Sequence, residues 1–282
     1  MKNLILSIQG KLRQLAQLDG KNYQLILIRY FQERLIYRLS VSNYQENFCL
    51  KGGALLYALE QEKSRPTLDI DLLGLKMSAE HAYLINVFIE ICQIHDEQDG
   101  VIFNKSSLTA TEITKEGKYS GVRVKVEAQL GNIRQNLQID IGFGDIIIPK
   151  PILMVYPTLL EMNMPHIWAY SIESVIAEKF EAMIDLAETN SRMKDFYDVF
   201  QLLQSSNIQV EILNEAIVQT FRRRQTKFNR LHPLFYESFA KDEKRNQQWL
   251  AFLRKTKLNE TIDFQEVMRI IKINLLPIYE NV

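Results

Sequence analysis

A chain of 282 residues, 46% of them hydrophobic, can bury a full core and can hold one large domain or two smaller ones. Its 34 basic and 34 acidic residues cancel, which argues against a protein that coats nucleic acid with its whole surface but allows a local basic patch. No stretch has the length of a membrane span or the apolar core of a signal peptide, and Cys49 and Cys92 lack metal-ligand spacing, so we expect a cytoplasmic protein with reduced thiols and no membrane partner.

The first 50 residues lead into a glycine pair. Residues 1–47 have the apolar spacing of helices, which we expect to cover the core, and residues 48–50 predict a short buried strand. Gly52 and Gly53 follow, at the start of a helical pattern. Glycines at a helix N-terminus let phosphate oxygens approach the backbone N–H groups, and the helix dipole favours negative charge there. The pair therefore predicts a phosphate-binding turn, although a lone Gly-Gly is more often an ordinary turn.

The next strand carries two carboxylates on one face. Asp69 and Asp71 alternate with Leu68, Ile70 and Leu72, so the aspartates share one side and the apolar residues face the core. Adjacent carboxylates repel each other unless a cation lies between them, and Mg²⁺ with nucleotide phosphates is a common occupant. By itself an Asp-x-Asp pair is more often a solvated strand face; together with the preceding glycines it predicts a nucleotide and metal site.

A third acidic candidate lies in a later strand. Between residues 100 and 148 the apolar period changes to two, which predicts a β-meander with a turn at residues 131–132. Asp140 falls in the middle of one of these strands, where propensity disfavours it. Asp145 is a weaker candidate because it follows Gly144 in a turn. The alternative for Asp140 is an exposed residue on an edge strand.

A capping serine and several prolines predict where helices and domains begin and end. Ser78 is expected to cap the helix that runs to about residue 94, and Pro277 to end the last helix. The prolines between residues 149 and 165 mark a crossing between domains. We therefore predict two domains, 1–155 and 156–282.

Two helices after this boundary carry charged residues at notable positions. Ser171 predicts an N-cap, and Lys179 then falls on the apolar face of its helix. Such a lysine either extends its ammonium group out of the edge of a core or lines a cleft. On the following helix, Lys194 and Asp198 are four residues apart, which a surface ion pair would explain without any function.

The order of these motifs resembles one enzyme family. The segments LKGGALLYAL, RPTLDIDLL, IAEKFEAM and NSRMKDFYDVFQLL are similar to four ordered blocks of the AbiEii/AbiGii toxin-like nucleotidyltransferases, a branch of the polymerase-β-type superfamily. The resemblance covers about residues 48 to 203. It implies an α+β fold: a polymerase-β-type core, with a mixed β-sheet flanked by helices, followed by a C-terminal helical domain.

The resemblance also implies roles for individual residues, including a third carboxylate that joins the Asp-x-Asp pair. The metal ligands would be Asp69, Asp71 and Asp140, with Mg²⁺ or Mn²⁺ as the metal. The nucleotide contacts would come from Gly52, Gly53, Arg65, Lys179 and, with less support, Asp198. The catalytic residues would be Asp69, Asp71, Asp140, Lys179 and Asp195, with Asp195 near the attacking hydroxyl or the phosphates.

A basic segment suggests the acceptor. Between residues 221 and 257, eleven Lys or Arg stand against three acids, with aromatic residues interleaved. Such a composition suits an RNA backbone and an unpaired end, but equally a helical cap with a core of aromatics and solvated charges.

These observations predict a metal-dependent nucleotidyltransferase that moves NMP from an NTP to an acceptor. The resemblance suggests a tRNA 3′ end as acceptor, a toxin-antitoxin or phage-defence system as context and a cognate antitoxin as partner. The alternatives are modification of a protein or a small molecule, and a non-catalytic nucleotide-binding interaction module.

Overall fold

The computed structural model describes residues 2–61, 64–115, 119–205, 207–258 and 262–281. The chain divides into two compact units. We call them the sheet unit (Met1–Gln61, Pro66–Gly144 and Ile152–Ala169) and the helical unit (Glu62–Arg65, Asp145–Pro151 and Tyr170–Val282). The expected architecture, a mixed sheet with helices followed by a helical region, is confirmed. None of the helices in the described ranges is long and apolar enough to cross a membrane.

In its described part, the sheet unit contains four α-helices and seven strands. They are α1 (Lys2–Leu18), α2 (Tyr23–Ser40), β1 (Phe48–Lys51), α3 (Gly52–Glu60), β2 (Asp69–Gly74), α4 (His81–Gln93), β3 (Val101–Lys115), β4 (Tyr119–Leu130), β5 (Ile133–Phe143), β6 (Ile152–Val155) and β7 (His166–Ala169). Helix α4 begins later than Ser78 predicts: Glu80 is the N-cap, and the Ser78 hydroxyl accepts from the Glu80 N–H instead, which makes a local turn before the helix.

All seven strands form one sheet, in the order β3-β4-β5-β2-β1-β7-β6. The pairs β2–β5 and β1–β7 are parallel, and the other neighbours are antiparallel. Strand β2 therefore lies in the middle, between β1 and β5. Its Ile70 and Leu72 are buried, as the alternation predicts. The prediction that Leu68 faces the core is wrong, because β2 begins only at Asp69 and Leu68 is 56% exposed.

Strands β6 and β7 explain why the sheet unit extends beyond residue 155. Leu50 of β1 lies beside Ala169 of β7, and β6 pairs with β7 from Ile152 to Val155. The predicted boundary between residues 155 and 156 thus falls within a stretch that the sheet holds together.

The helical unit contains six α-helices in its described residues. They are α5 (Ile172–Leu186), α6 (Met193–Ser205), α7 (Val210–Arg224), α8 (Glu237–Lys241), α9 (Glu243–Thr256) and α10 (Phe264–Tyr279). Ser171 caps α5 by accepting from the Ser174 N–H, as expected.

The prediction that Pro277 ends the last helix is wrong. Helix α10 continues through Pro277 to Tyr279. A proline costs least close to a helix end, where few turns are disturbed. Here Ile278 and Tyr279 are 7% and 1% exposed, so packing of the final turn outweighs the lost backbone hydrogen bond.

Candidate active site

Three aspartates and two basic residues form a charged row on one face of the sheet. Asp71 lies directly beside Asp140 in the parallel pair β2–β5 and directly opposite Lys51 in the antiparallel pair β1–β2. Arg123 of β4 lies opposite Asp140. Directly paired residues point to the same face of a sheet, and Asp69 joins them because it is two residues from Asp71. We call Lys51, Asp69, Asp71, Arg123 and Asp140 the carboxylate row.

Gly52 gives the Asp71 side chain its space. Gly52 is the first residue of α3 and has φ of 63°, a conformation that residues with a Cβ rarely adopt. A Cβ at this position would lie within 3.0 Å of three atoms of the Asp71 side chain. At Gly53 an added Cβ would lie 2.7 Å from the Cβ of Thr67. The glycine pair therefore starts a helix as expected, and it also allows β2 side chains to approach that helix closely.

Asp140 is held by an arginine that is not among the predicted site residues. Arg123 donates from Nε to Asp140 Oδ1 and from Nη2 to Asp140 Oδ2, both at 2.9 Å. These hydrogen bonds raise the pKa of Arg123, and the charges of Asp69 and Asp71 act in the same direction. The sequence does contain a signal for this pair. A two-residue turn at Gly131 and Asn132 pairs Leu130 with Ile133, and the same hairpin register then pairs Arg123 with Asp140.

Two of the three aspartates in the carboxylate row suit a hard divalent cation. Asp69 and Asp71 supply carboxylate oxygens from one face of one strand, and oxygen ligands are those that Mg²⁺ and Mn²⁺ prefer. Asp140 lies in register with them, but both of its oxygens accept hydrogen bonds from Arg123. Within the described residues, no three carboxylate, imidazole or thiol side chains are grouped closely enough to hold a metal ion. The pair Asp69 and Asp71 therefore fits the cation better than the full set of three.

Asp145, the weaker candidate for the third carboxylate, belongs to the helical unit. It accepts a hydrogen bond of 3.1 Å from Arg224 Nη2, and Arg224 also pairs with Glu178 and Glu181. Of the two candidates, Asp140 is therefore the one that lies beside Asp71.

Five charged residues of the helical unit form a second network. The Lys179 ammonium of α5 donates to Asp195 Oδ1 and to Asp198 Oδ2 of α6, each at 2.8 Å. Arg65 forms a bidentate ion pair with Asp198, from Nε to Oδ1 and from Nη2 to Oδ2, both at 3.0 Å. Arg192 Nε lies 2.6 Å from Asp195 Oδ2. We call Arg65, Lys179, Arg192, Asp195 and Asp198 the lysine cluster.

Burial and charge act against each other in this cluster. Burial lowers the pKa of Lys179, but Asp195 and Asp198 outweigh it, so the pKa lies above its ordinary value. Burial raises the pKa of Asp195, but Lys179 and Arg192 outweigh it and lower that pKa to about 2. Lys179 and Asp195 are thus both ionised at neutral pH. The oxygens of Asp198 contact Lys179 and Arg65. A buried network is therefore present instead of the surface pair with Lys194 that the spacing allowed as an alternative.

The basic segment separates into buried rings and exposed charges. Phe235, Phe239 and Trp249 are 7% exposed or less and pack among other aromatic rings. Phe228 and Tyr236 are 45% and 44% exposed. Nine of the eleven basic residues are exposed: Arg222, Arg223, Lys227, Arg230, Lys241, Lys244, Arg254, Lys255 and Lys257. Most of the large rings are therefore core, and the segment offers charge more than stacking surface.

Comparisons with solved structures identify the fold. The chain resembles the crystal structure of a candidate nucleotidyltransferase from H. pylori with a TM-score of 0.53 and 16% identity, over 92% of this chain and 96% of that one. It resembles the crystal structure of JHP933 from Helicobacter pylori with a TM-score of 0.52 and 17% identity, over 92% and 94% of the two chains. These likenesses establish a shared fold. No curated protein matches the chain.

The sequence match is more specific. The family described as nucleotidyl transferase AbiEii toxin, type IV toxin-antitoxin system, matches residues 34–270, which include both the carboxylate row and the lysine cluster. The chain therefore belongs to the AbiEii family of nucleotidyltransferase toxins.

Proposed function

We propose that this nucleotidyltransferase toxin moves NMP from an NTP to the 3′ end of a tRNA in the cytoplasm, in a reaction that requires Mg²⁺ or Mn²⁺. One observation carries the metal assignment: Asp69 and Asp71 lie on the same face of β2, and Asp140 lies beside Asp71 on β5. Clustered carboxylates gain from a cation that offsets their repulsion.

In this proposal Asp69 and Asp71 hold the divalent cation. When bound, the cation neutralises phosphate oxygens and favours ionisation of the attacking hydroxyl. That hydroxyl forms a bond to the α-phosphorus and releases its proton to solvent water, while the bond from the α-phosphorus to the oxygen of the β-phosphate breaks and pyrophosphate leaves. The protein's share of the catalysis is positioning and charge stabilisation.

The turn at Gly52 and Gly53 has a supporting role. It opens helix α3 with backbone N–H groups and without side chains, an arrangement that suits a phosphate group. We assign the turn to nucleotide phosphate.

The lysine cluster is assigned to the nucleotide as well. It holds three cations against two carboxylates, a balance that suits an anionic ligand. We propose that Lys179 and Arg65 provide positive charge for phosphate groups. Asp195 and Asp198 then fix these side chains in place, and this positioning accounts for the catalytic role that the family resemblance implies for Asp195.

The acceptor assignment rests on charge. The nine exposed basic residues between residues 221 and 257 suit a phosphate backbone, while Phe228 and Tyr236 are the larger rings of that segment with the most exposure for stacking on an unpaired base. A toxin of this family also implies a cognate antitoxin as partner.

A labelling experiment tests the proposal. The protein is incubated with each α-labelled NTP, Mg²⁺ and total tRNA, alongside Asp69→Asn and Asp71→Asn. Asp19→Asn serves as the matched control, because Asp19 is a partly exposed carboxylate of the same unit that pairs with Lys21. We expect label in tRNA, a loss of about 100-fold or more in the two site variants and no loss in the control.

Two outcomes would contradict parts of this proposal. Label that enters a protein or a small molecule, but not tRNA, overturns the acceptor and leaves the transferase chemistry standing. Equal labelling by wild type and Asp69→Asn overturns the assignment of the metal site.

A further inference from the structure

Asp140 of the carboxylate row has a basic partner in the structure, Arg123. Across neighbouring strands the order is Lys51, Asp71, Asp140 and Arg123, so the two carboxylates are adjacent and a basic residue stands at each end. Asp140 thus has two neighbours of opposite character, a carboxylate on one side and a guanidinium on the other.

The guanidinium uses the geometry that arginine prefers for a carboxylate. Nε and Nη2 of Arg123 each meet a different oxygen of Asp140 at 2.9 Å, a parallel two-bond contact that fixes both side chains. The Asp140 side chain is 11% exposed and the Arg123 side chain 35% exposed. Water therefore competes only weakly for the carboxylate.

A divalent cation on Asp140 would have to share that carboxylate with Arg123. Both oxygens would face two cations at close range, and the cations would repel each other. Arg123 acts on Asp69 and Asp71 through its charge, without the bidentate contact that it makes with Asp140.

We infer that Asp140 is a positioning residue that binds Arg123 and not the metal, so that the divalent cation takes its protein ligands from Asp69 and Asp71. This inference rests on the metal site of the proposed function. It changes the expected role of Asp140 from metal ligand to anchor of a fixed cation on the same face of the sheet.

Metal binding tests the assignment without relying on catalysis. Mn²⁺ affinity is measured by electron paramagnetic resonance for the wild type, Asp69→Asn, Arg123→Gln and the double variant Arg123→Gln/Asp140→Asn. Thermal unfolding of each variant checks that it is folded. The double variant is decisive because it removes one positive and one negative charge together and so keeps the net charge of the row.

We expect the double variant to bind Mn²⁺ within about twofold of the wild type, while Asp69→Asn loses about tenfold or more. Arg123→Gln alone should bind Mn²⁺ about fivefold more tightly or better, because it frees a third carboxylate. If Arg123→Gln does not fold, the Mn²⁺ affinity of the double variant decides whether Asp140 is a metal ligand.

Other results overturn the inference in distinguishable ways. A double variant that loses as much affinity as Asp69→Asn shows that Asp140 is a metal ligand, and the metal site of the proposed function then survives. Equal Mn²⁺ binding by wild type and Asp69→Asn contradicts the metal site itself, and the assignment of Asp140 fails with it.

Discussion

The carboxylate row and the lysine cluster have opposite charge balances. The row sets three carboxylates against two basic residues, whereas the cluster sets three basic residues against two carboxylates. They also differ in burial: Asp195 and Asp198 are 0% and 3% exposed, while Asp69 and Asp71 are half-buried. Half-buried aspartates such as Asp69 and Asp71 can take up a cation, while fully buried aspartates need their cations for the fold to persist. Removal of a charged residue should therefore have different consequences in the carboxylate row and in the lysine cluster.

The largest expected effect is on the lysine cluster. Lys179→Met leaves Asp195 and Asp198 with less compensation in a buried setting, so it should lower the free energy of unfolding by about 3 to 5 kcal/mol. Urea denaturation measures it. Asp69→Asn is the counterpart in the carboxylate row and should change stability by less than about 1 kcal/mol.

A different result for Lys179→Met would break this comparison. If the variant unfolds at the same urea concentration as the wild type but loses nucleotide transfer, then Lys179 acts on the substrate and contributes little to folding.

The next effect concerns the start of α3. Gly52→Ala should cost about 2 to 4 kcal/mol, because it forces a Cβ into a positive φ and against the Asp71 side chain. Gly10→Ala is the matched control: Gly10 lies in α1 with no atom within 4 Å of an added Cβ, and the change should stabilise by about 0.5 to 1 kcal/mol. Thermal unfolding compares the two.

A second substitution separates the two causes at Gly52. Asp71→Gly in the Gly52→Ala background removes the atoms that the new Cβ would meet, so part of the lost stability should return. No recovery at all would mean that the backbone conformation alone accounts for the cost.

The smallest of the three effects is a pH dependence of the lysine cluster. Folding lowers the pKa of Asp195 from its ordinary 3.8 to about 2, so the native state binds this proton less readily than the unfolded chain. The corresponding stability is present above about pH 4 and is lost as the pH falls toward 2, by about 2 kcal/mol.

Urea denaturation between pH 5 and pH 2 measures this loss. Asp195→Asn should be less stable at pH 5 and should show a shallower fall in stability toward pH 2. A slope equal to that of the wild type would mean that Asp195 takes no part in the acid sensitivity.

Local patterns predicted much of the sheet unit correctly. The two-residue period placed Asp69 and Asp71 on one face of β2, and the glycine pair marked the start of α3. Even the contact between Arg123 and Asp140 follows from the turn at residues 131–132, because a two-residue turn sets the register of its hairpin.

Charged residues on helices were harder to interpret. The spacing of Lys194 and Asp198 suggested a surface pair, since sequence spacing describes one helix and carries no information about its neighbours. The aromatics of the basic segment had two equal interpretations for the same reason: packing against other helices decided which rings became core.

The sequence by itself thus determined the two faces of β2, the starts of α3 and α5, the hairpin register and the order of motifs that identifies the family, because these depend on neighbours within a few residues. Only the tertiary structure decided that Asp140 lies beside Asp71 and that Lys179 lies between Asp195 and Asp198. The parallel pairing of β2 with β5 joins residues 69 positions apart in the chain, from Asp71 to Asp140, and the packing of α5 against α6 joins separate helices. Such contacts depend on how whole elements bury their apolar faces, which no local pattern specifies.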